Sequence, residues 1–137
     1  MIYLAHPYAA RELGKKIQAQ LEALHYEVVN PFDREEQEIY AAAIAENRPF
    51  SPDECESIVL GDLNQVESCE EVVSLWTGDY SIGTAMEVFF AASIGIPVSS
   101  LYLLTNYGNG VIHPWVSYLT TVFTSESDLI RDFANRN

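Results

Sequence analysis

The 137-residue chain is short of positive charge. Seven Lys and Arg stand against twenty Asp and Glu, a formal net charge of −13. Between Arg48 and Arg131 there is no Lys or Arg at all. Such an excess repels phosphate backbones and anionic headgroups, so neither nucleic acid nor a membrane is an expected partner. Cysteine is scarce too: Cys55 and Cys69 form no metal-ligand spacing and no disulfide framework. No apolar run approaches the ~20 residues of a membrane span. The opening Met1-Ile2-Tyr3-Leu4-Ala5 lacks the basic leader and apolar stretch of a secreted protein. The expectation is a cytoplasmic protein. Gly78-x-x-x-x-Gly83 lacks the following Lys of a phosphate loop, and Ser81 and Ser93 lack the Gly-x-Ser-x-Gly setting of an esterase nucleophile. A phosphate-bearing ligand is left with Arg11, Arg34, backbone amides and His6 or His113.

What is present is an ordinary globular composition, 48% hydrophobic, in a length suited to one domain spanning residues 1–137. Residues 2–5 predict a short buried strand, broken by His6-Pro7-Tyr8. A helix over 11–24 follows, with Leu13, Ile17, Leu21 and Leu24 on one face. Residues 26–29 predict a second strand, closed by Asn30-Pro31. This strand–helix–strand order is that of a parallel βαβ unit. Residues 32–52 predict a long excursion holding one short helix, of the kind that covers a ligand, with a solvated insertion of no role the equal alternative for its acidic run. Ser51-Pro52 opens a helix reaching about 68, with Val59, Leu63 and Val66 as its core face and Ile58 at the edge. Further strands are predicted at 72–76, 97–104 and 119–123. Between and after them come a helix ending near Ile94 before Gly95, a helical turn over 111–116, and a last helix capped by Thr124 or Ser125. The sum is a doubly wound α/β fold: a five-stranded parallel, flavodoxin-like sheet with helices on both faces. In such folds ligands bind beyond the carboxyl ends of the strands, where residues 6–8, 30–34 and 77–83 converge.

One carboxylate stands out there. From Tyr80 to Thr105 the only charged side chain is Glu87. Burying a lone carboxylate is costly unless something pairs with it or uses it. Gly83-Thr84 predicts a helix start, placing Glu87 in the first turn near the positive end of the helix dipole. Thr84-x-x-Glu87 also reads as a capping box, and on spacing alone that plainer reading has the edge. Asp62 lies beside the expected apolar stripe of its helix, and by itself reads as a partly exposed acid. Two such carboxylates brought together would suit glycosyl chemistry, one at the sugar carbon and one handling the leaving group's proton. Tyr3, Tyr8 and Phe32 are candidates to stack on a flat heterocycle. No metal or cofactor is expected.

Four segments carry a family likeness: residues 2–8, residues 28–32, Gly61-Asp62-Leu63, and Ser81-Ile82-Gly83-Thr84-Ala85-Met86-Glu87. With them the chain resembles the nucleoside 2-deoxyribosyltransferases, a family that includes 2′-deoxynucleoside 5′-monophosphate N-glycosidases. The resemblance implies a retaining double displacement at a small-molecule substrate, a deoxynucleoside or its monophosphate with a free base. Glu87 would be the nucleophile, Asp62 the acid and then the base, and Tyr3 the residue holding Glu87 in line. Phe32 and Met86 would contact the base, with His6, Tyr8 and Gly83 lining the site. The family assembles as homo-oligomers, dimers or hexamers of dimers, in which a neighbouring chain completes each site; Asn109 or His113 would do so here. The chain departs from the pattern at Ser81, where transferases carry an Asp for the sugar hydroxyls and monophosphate hydrolases carry Ser. Asp79 is a candidate substitute. Pro7 stands where the hydrolases use a phosphate-binding serine. Transfer between bases is the leading expectation, hydrolysis of a monophosphate the nearest rival, and a silent nucleotide-binding module the third.

Overall fold

A computed structural model describes residues 1–34, 36–79, 81–104 and 111–136, with residue 36 described by its backbone alone. Strand β1 (Ile2–Ala5) sits near the middle of a five-stranded, all-parallel sheet with β2 (Val28–Val29), β3 (Glu71–Trp76), β4 (Val98–Tyr102) and β5 (Thr121–Phe123). The spatial order is β2-β1-β3-β4-β5. Tyr3 lies opposite Val29 on one side and Val72 on the other. Because the order reverses between β1 and β3, the connections leave on opposite faces there and open a crevice at the carboxyl ends.

Side chains alternate across β1, as a strand's period of two requires. Ile2 and Leu4 enter the core shared with Ile17 and Leu21 of α1 (Arg11–Ala23) and Leu129 and Phe133 of α6 (Glu126–Ala134). Tyr3 and Ala5 face the other way, against Val66 of α3 (Pro52–Ser68) and Val88 and Ala91 of α4 (Ile82–Ser93). Both faces are therefore covered, as the alternation of elements predicts. The long excursion holds α2 (Glu36–Glu46), and α5 (Pro114–Leu119) precedes β5.

Local chemistry sets the boundaries. At α3, Ser51 accepts from the Glu54 amide at 3.1 Å, and Glu54 accepts from the Ser51 amide at 2.9 Å, with Pro52 at the first turn. Ser125, rather than Thr124, caps α6 by accepting from the Asp128 amide. Gly95 ends α4 at φ 82°, a left-handed angle that suits glycine. Strand β2 is shorter than the sequence predicts, because Tyr26 turns away and donates its hydroxyl to the Phe133 carbonyl at 2.9 Å. Helix α5 lies later than the predicted 111–116, since His113 caps it and Pro114 opens it.

The facing of α3 differs from expectation. Val59, predicted to be core, is 50% exposed, and Leu60 is exposed as well. Ile58, Asp62, Leu63 and Gln65 are part-buried and Val66 is buried, so the inward face carries polar groups that an apolar stripe does not reveal.

Candidate active site

Glu87 is 7% exposed. It does not serve as a helix cap. Helix α4 starts at Ile82, and its cap is Ser81, whose hydroxyl accepts from the Thr84 amide at 3.1 Å. Glu87 therefore sits in the second turn, not the first, and its carboxylate is released from backbone duty. Its Oε2 accepts a hydrogen bond from the Tyr3 hydroxyl, which reaches across from β1. Its Oε1 lies below Gly83, one turn earlier, where a β-carbon would come to 3.7 Å. A longer side chain at that position would crowd the carboxylate.

Asp62 projects from α3 toward the same place. Arg34, following the 3₁₀ turn Pro31–Asp33, pairs with its Oδ1 at 2.8 Å, and Gln37 of α2 donates to the same oxygen at 3.3 Å. Burial pushes the Glu87 carboxyl up to about 8, helped by the negative field of Asp62; the Tyr3 hydrogen bond and the Arg34 charge work against that rise. Tyr3 is raised in turn by burial and by both carboxylates. Two acids in one crevice with different environments are the arrangement that separates acid from base roles.

Aromatic rings form the adjoining wall. Phe32 lies 4.8 Å from the His6 ring and 5.6 Å from Tyr8, and Tyr8 lies 5.5 Å from Tyr40 of α2. Arg11 covers the other face of Tyr8, at 3.6 Å from its centroid. His6 itself is buried beneath this wall. Its Nδ1 contacts the Pro7 carbonyl and its Nε2 the Asn30 side chain, and burial lowers its proton affinity. Gly14 leaves the room it needs, since a β-carbon there would come within 2.7 Å of Nε2.

A cavity of about 470 Å³ lies on the other side of α4, with Ser81, Thr84, Ala85 and Val88 along one wall and Trp76, Tyr102 and Trp115 opposite. Asp79 also lines it, bonded to Thr77 at 2.5 Å. Its lining also includes Pro7, next to His6 and Tyr8, but neither Glu87 nor Asp62. Met86 is 63% exposed on the outer side of α4. His113 spends its Nδ1 on the Trp115 amide as a helix cap. Asn109 lies outside the described residues. Among those described, no cluster of three or more His, Cys, Asp or Glu side chains has the makings of a metal site.

Two contributors to the site escape a reading of single positions, Gln37 and Tyr40. Helix α2 has no apolar stripe, but Gln37, Tyr40 and Ala43 recur at intervals of three, a helical face that points inward.

Two carboxylates and a tyrosine thus meet at the switch point of a doubly wound sheet, the place where such folds hold small molecules. The sequence matches the family model for nucleoside 2-deoxyribosyltransferase over residues 2–111, and the chain belongs to that family. As a member of that family it is an enzyme of the N-glycosidic bond. Among solved structures, the 2-deoxyribosyltransferase of Bacillus psychrosaccharolyticus aligns with a TM-score of 0.72 at 18% identity, over 99% of this chain and 91% of that one. The CMP N-glycosidase of Clostridium botulinum aligns with a TM-score of 0.58 at 16% identity, over 96% and 95%. At such identities the likeness is one of fold. A comparison with curated proteins finds no match. No helix among the described residues is long and apolar enough to cross a membrane.

Proposed function

We propose that the protein transfers 2-deoxyribose between nucleobases through a covalent deoxyribosyl-Glu87 ester. A lone pair of the Glu87 carboxylate forms the bond to C1′. The C1′–N bond breaks with its electrons passing to the base, and Asp62 supplies the proton that the departing base takes up. An incoming base then attacks C1′, Asp62 accepts its proton, and Glu87 is restored. The absence of a 2′-hydroxyl eases positive charge at C1′, so a buried carboxylate suffices to stabilise it.

The observation that carries this reading is the buried Glu87, held through one oxygen by Tyr3 with a second carboxylate facing it. The aromatic wall of Tyr8, Phe32 and Tyr40 supplies stacking surfaces of the kind a flat base requires. Incubation with one deoxynucleoside and a second free base tests the proposal. The exchanged nucleoside is the expected product; free deoxyribose or its 5-phosphate as the sole sugar product would overturn transfer.

Hydrolysis of a deoxynucleoside 5′-monophosphate is the second reading, favoured by Ser81 in place of an aspartate. Against it, the Ser81 hydroxyl is already engaged, donating to Thr84 Oγ1 at 2.7 Å while accepting the Thr84 amide. The reading also takes the enzyme as a cytoplasmic homo-oligomer. A free, exposed Cys55 fits a reducing compartment. Ile82, Met86 and Phe89 of α4, with Val59 and Leu60 of α3 and Trp115 and Tyr118 of α5, leave a broad apolar surface for a second copy.

A further inference from the structure

Helix α3 carries a glycine in its interior, where glycine weakens a helix relative to alanine. The reason lies in a side chain from another element. A β-carbon at Gly61 would come within 2.8 Å of Arg34 Nη2 and 2.9 Å of its Cζ. The guanidinium is therefore seated against the backbone of α3. From that seat Nη1 reaches Asp62 Oδ1 at 2.8 Å and Gln65 Oε1 at 3.0 Å, while Nη2 points to the Ile58 carbonyl at 3.4 Å. Arg34 and Asp62 are only 13% and 19% exposed. The seat, the fork and the carboxylate form one unit.

We propose that Arg34, seated on Gly61, is the positioning residue that fixes the orientation and the charge of the Asp62–Glu87 pair. The assignment deepens the deoxyribosyl-transfer reading and rests on it for its catalytic meaning. Two carboxylates sharing a desolvated crevice repel, and one of them takes up a proton unless a cation offsets the repulsion. Among the described residues, Tyr3 from β1, Arg34 after β2 and Tyr40 from α2 face the two acids, and each acid faces the other. Of these, Arg34 alone is cationic. Its removal takes a positive charge away from the pair, while the Tyr3 and Gln37 hydrogen bonds stay. Glu87 then stays protonated to higher pH, and a protonated carboxyl is no nucleophile.

Arg34→Gln and Gly61→Ala in the full chain test this. Both variants are expected to move the acid limb of the pH–rate profile upward. Activity near neutral pH should fall about tenfold for each unit of that movement and recover in alkaline buffer. Guanidinium ion added to Arg34→Ala should restore part of the loss. Gly61→Ala should melt no lower than the wild type, which separates displacement of the guanidinium from damage to the helix. A loss of equal size at every pH, or an unmoved profile, would overturn the inference. Carbon-13 NMR titration of the Glu87 carboxylate, identified by its disappearance in Glu87→Gln, reads the same quantity without turnover. A higher titration midpoint in Arg34→Gln is expected, and an unchanged one would refute the role of Arg34 even in a protein that cleaves no nucleoside. Absence of deoxyribosyl chemistry in the wild type would instead defeat the functional reading and leave the titration to decide on Arg34.

Discussion

Glu87 holds its proton more tightly than an ordinary carboxylate because burial and Asp62 both oppose its charge. This has a thermodynamic consequence. A carboxyl whose affinity for a proton is higher folded than unfolded stabilises the fold at low pH, and that contribution is lost as pH rises toward about 8. Glu87→Gln, which cannot ionise, should therefore melt higher than the wild type above pH 8, with the gap closing in acid; thermal scans across pH check the sign. The same variant should lose turnover by about three orders of magnitude or more, because the covalent route itself is removed. Tyr3→Phe removes a hydrogen bond that favours the ionised form, so its pH–rate profile should shift upward with a smaller loss at high pH. The isolated carboxylate was legible in the sequence, since no other charge falls between Tyr80 and Thr105. Its role came into view only with the resemblance. The Tyr3 contact joins residues far apart in the chain, and no local pattern encodes it.

At the scale of elements, Ser81 caps α4 and is also where the sequence departs from the transferase pattern. Its hydroxyl caps α4, so Ser81→Ala should cost about 1 kcal/mol in denaturant unfolding. Aspartate caps equally well, so Ser81→Asp should keep that stability and, by repelling a 5′-phosphate, widen the preference for nucleosides over monophosphates; competition between the two donors measures it. Element order and most boundaries were legible because they rest on local chemistry: the Ser51-Pro52 cap, the Gly95 stop, and alternation along β1. Facing was less so. Val59 and Leu60 lie outward while Asp62 and Gln65 meet the Arg34 guanidinium, a partner from another element. Thr84 resembles a cap as closely as Ser81 does. The helix takes the earlier residue: Ser81 has extended backbone angles, and its hydroxyl accepts from the Thr84 amide.

At the scale of the molecule, helices on both faces close the sheet, yet large apolar side chains stay exposed on α3 (Val59, Leu60), α4 (Ile82, Met86, Phe89) and α5 (Trp115, Tyr118). Phe89 packs 6.2 Å from Trp115 and is 51% exposed, so a charge there disturbs this surface with little cost to the core. Phe89→Glu should reduce the solution mass, measured by light scattering, to that of a single chain; an unchanged mass would exclude this surface as the interface. The fold class was legible because parallel βαβ order leaves few alternatives. The exposure of Met86 and Phe89 was not, since they look the same in sequence whether they meet a core or solvent. The central claim is that deoxyribose passes through Glu87, and intact mass spectrometry after acid quenching tests it most directly. With excess deoxynucleoside and no acceptor base, the chain should gain the mass of one deoxyribosyl group. Proteolysis should map that group to Glu87, and Glu87→Gln should gain none. An adduct on another residue, or full turnover by Glu87→Gln, would contradict the account.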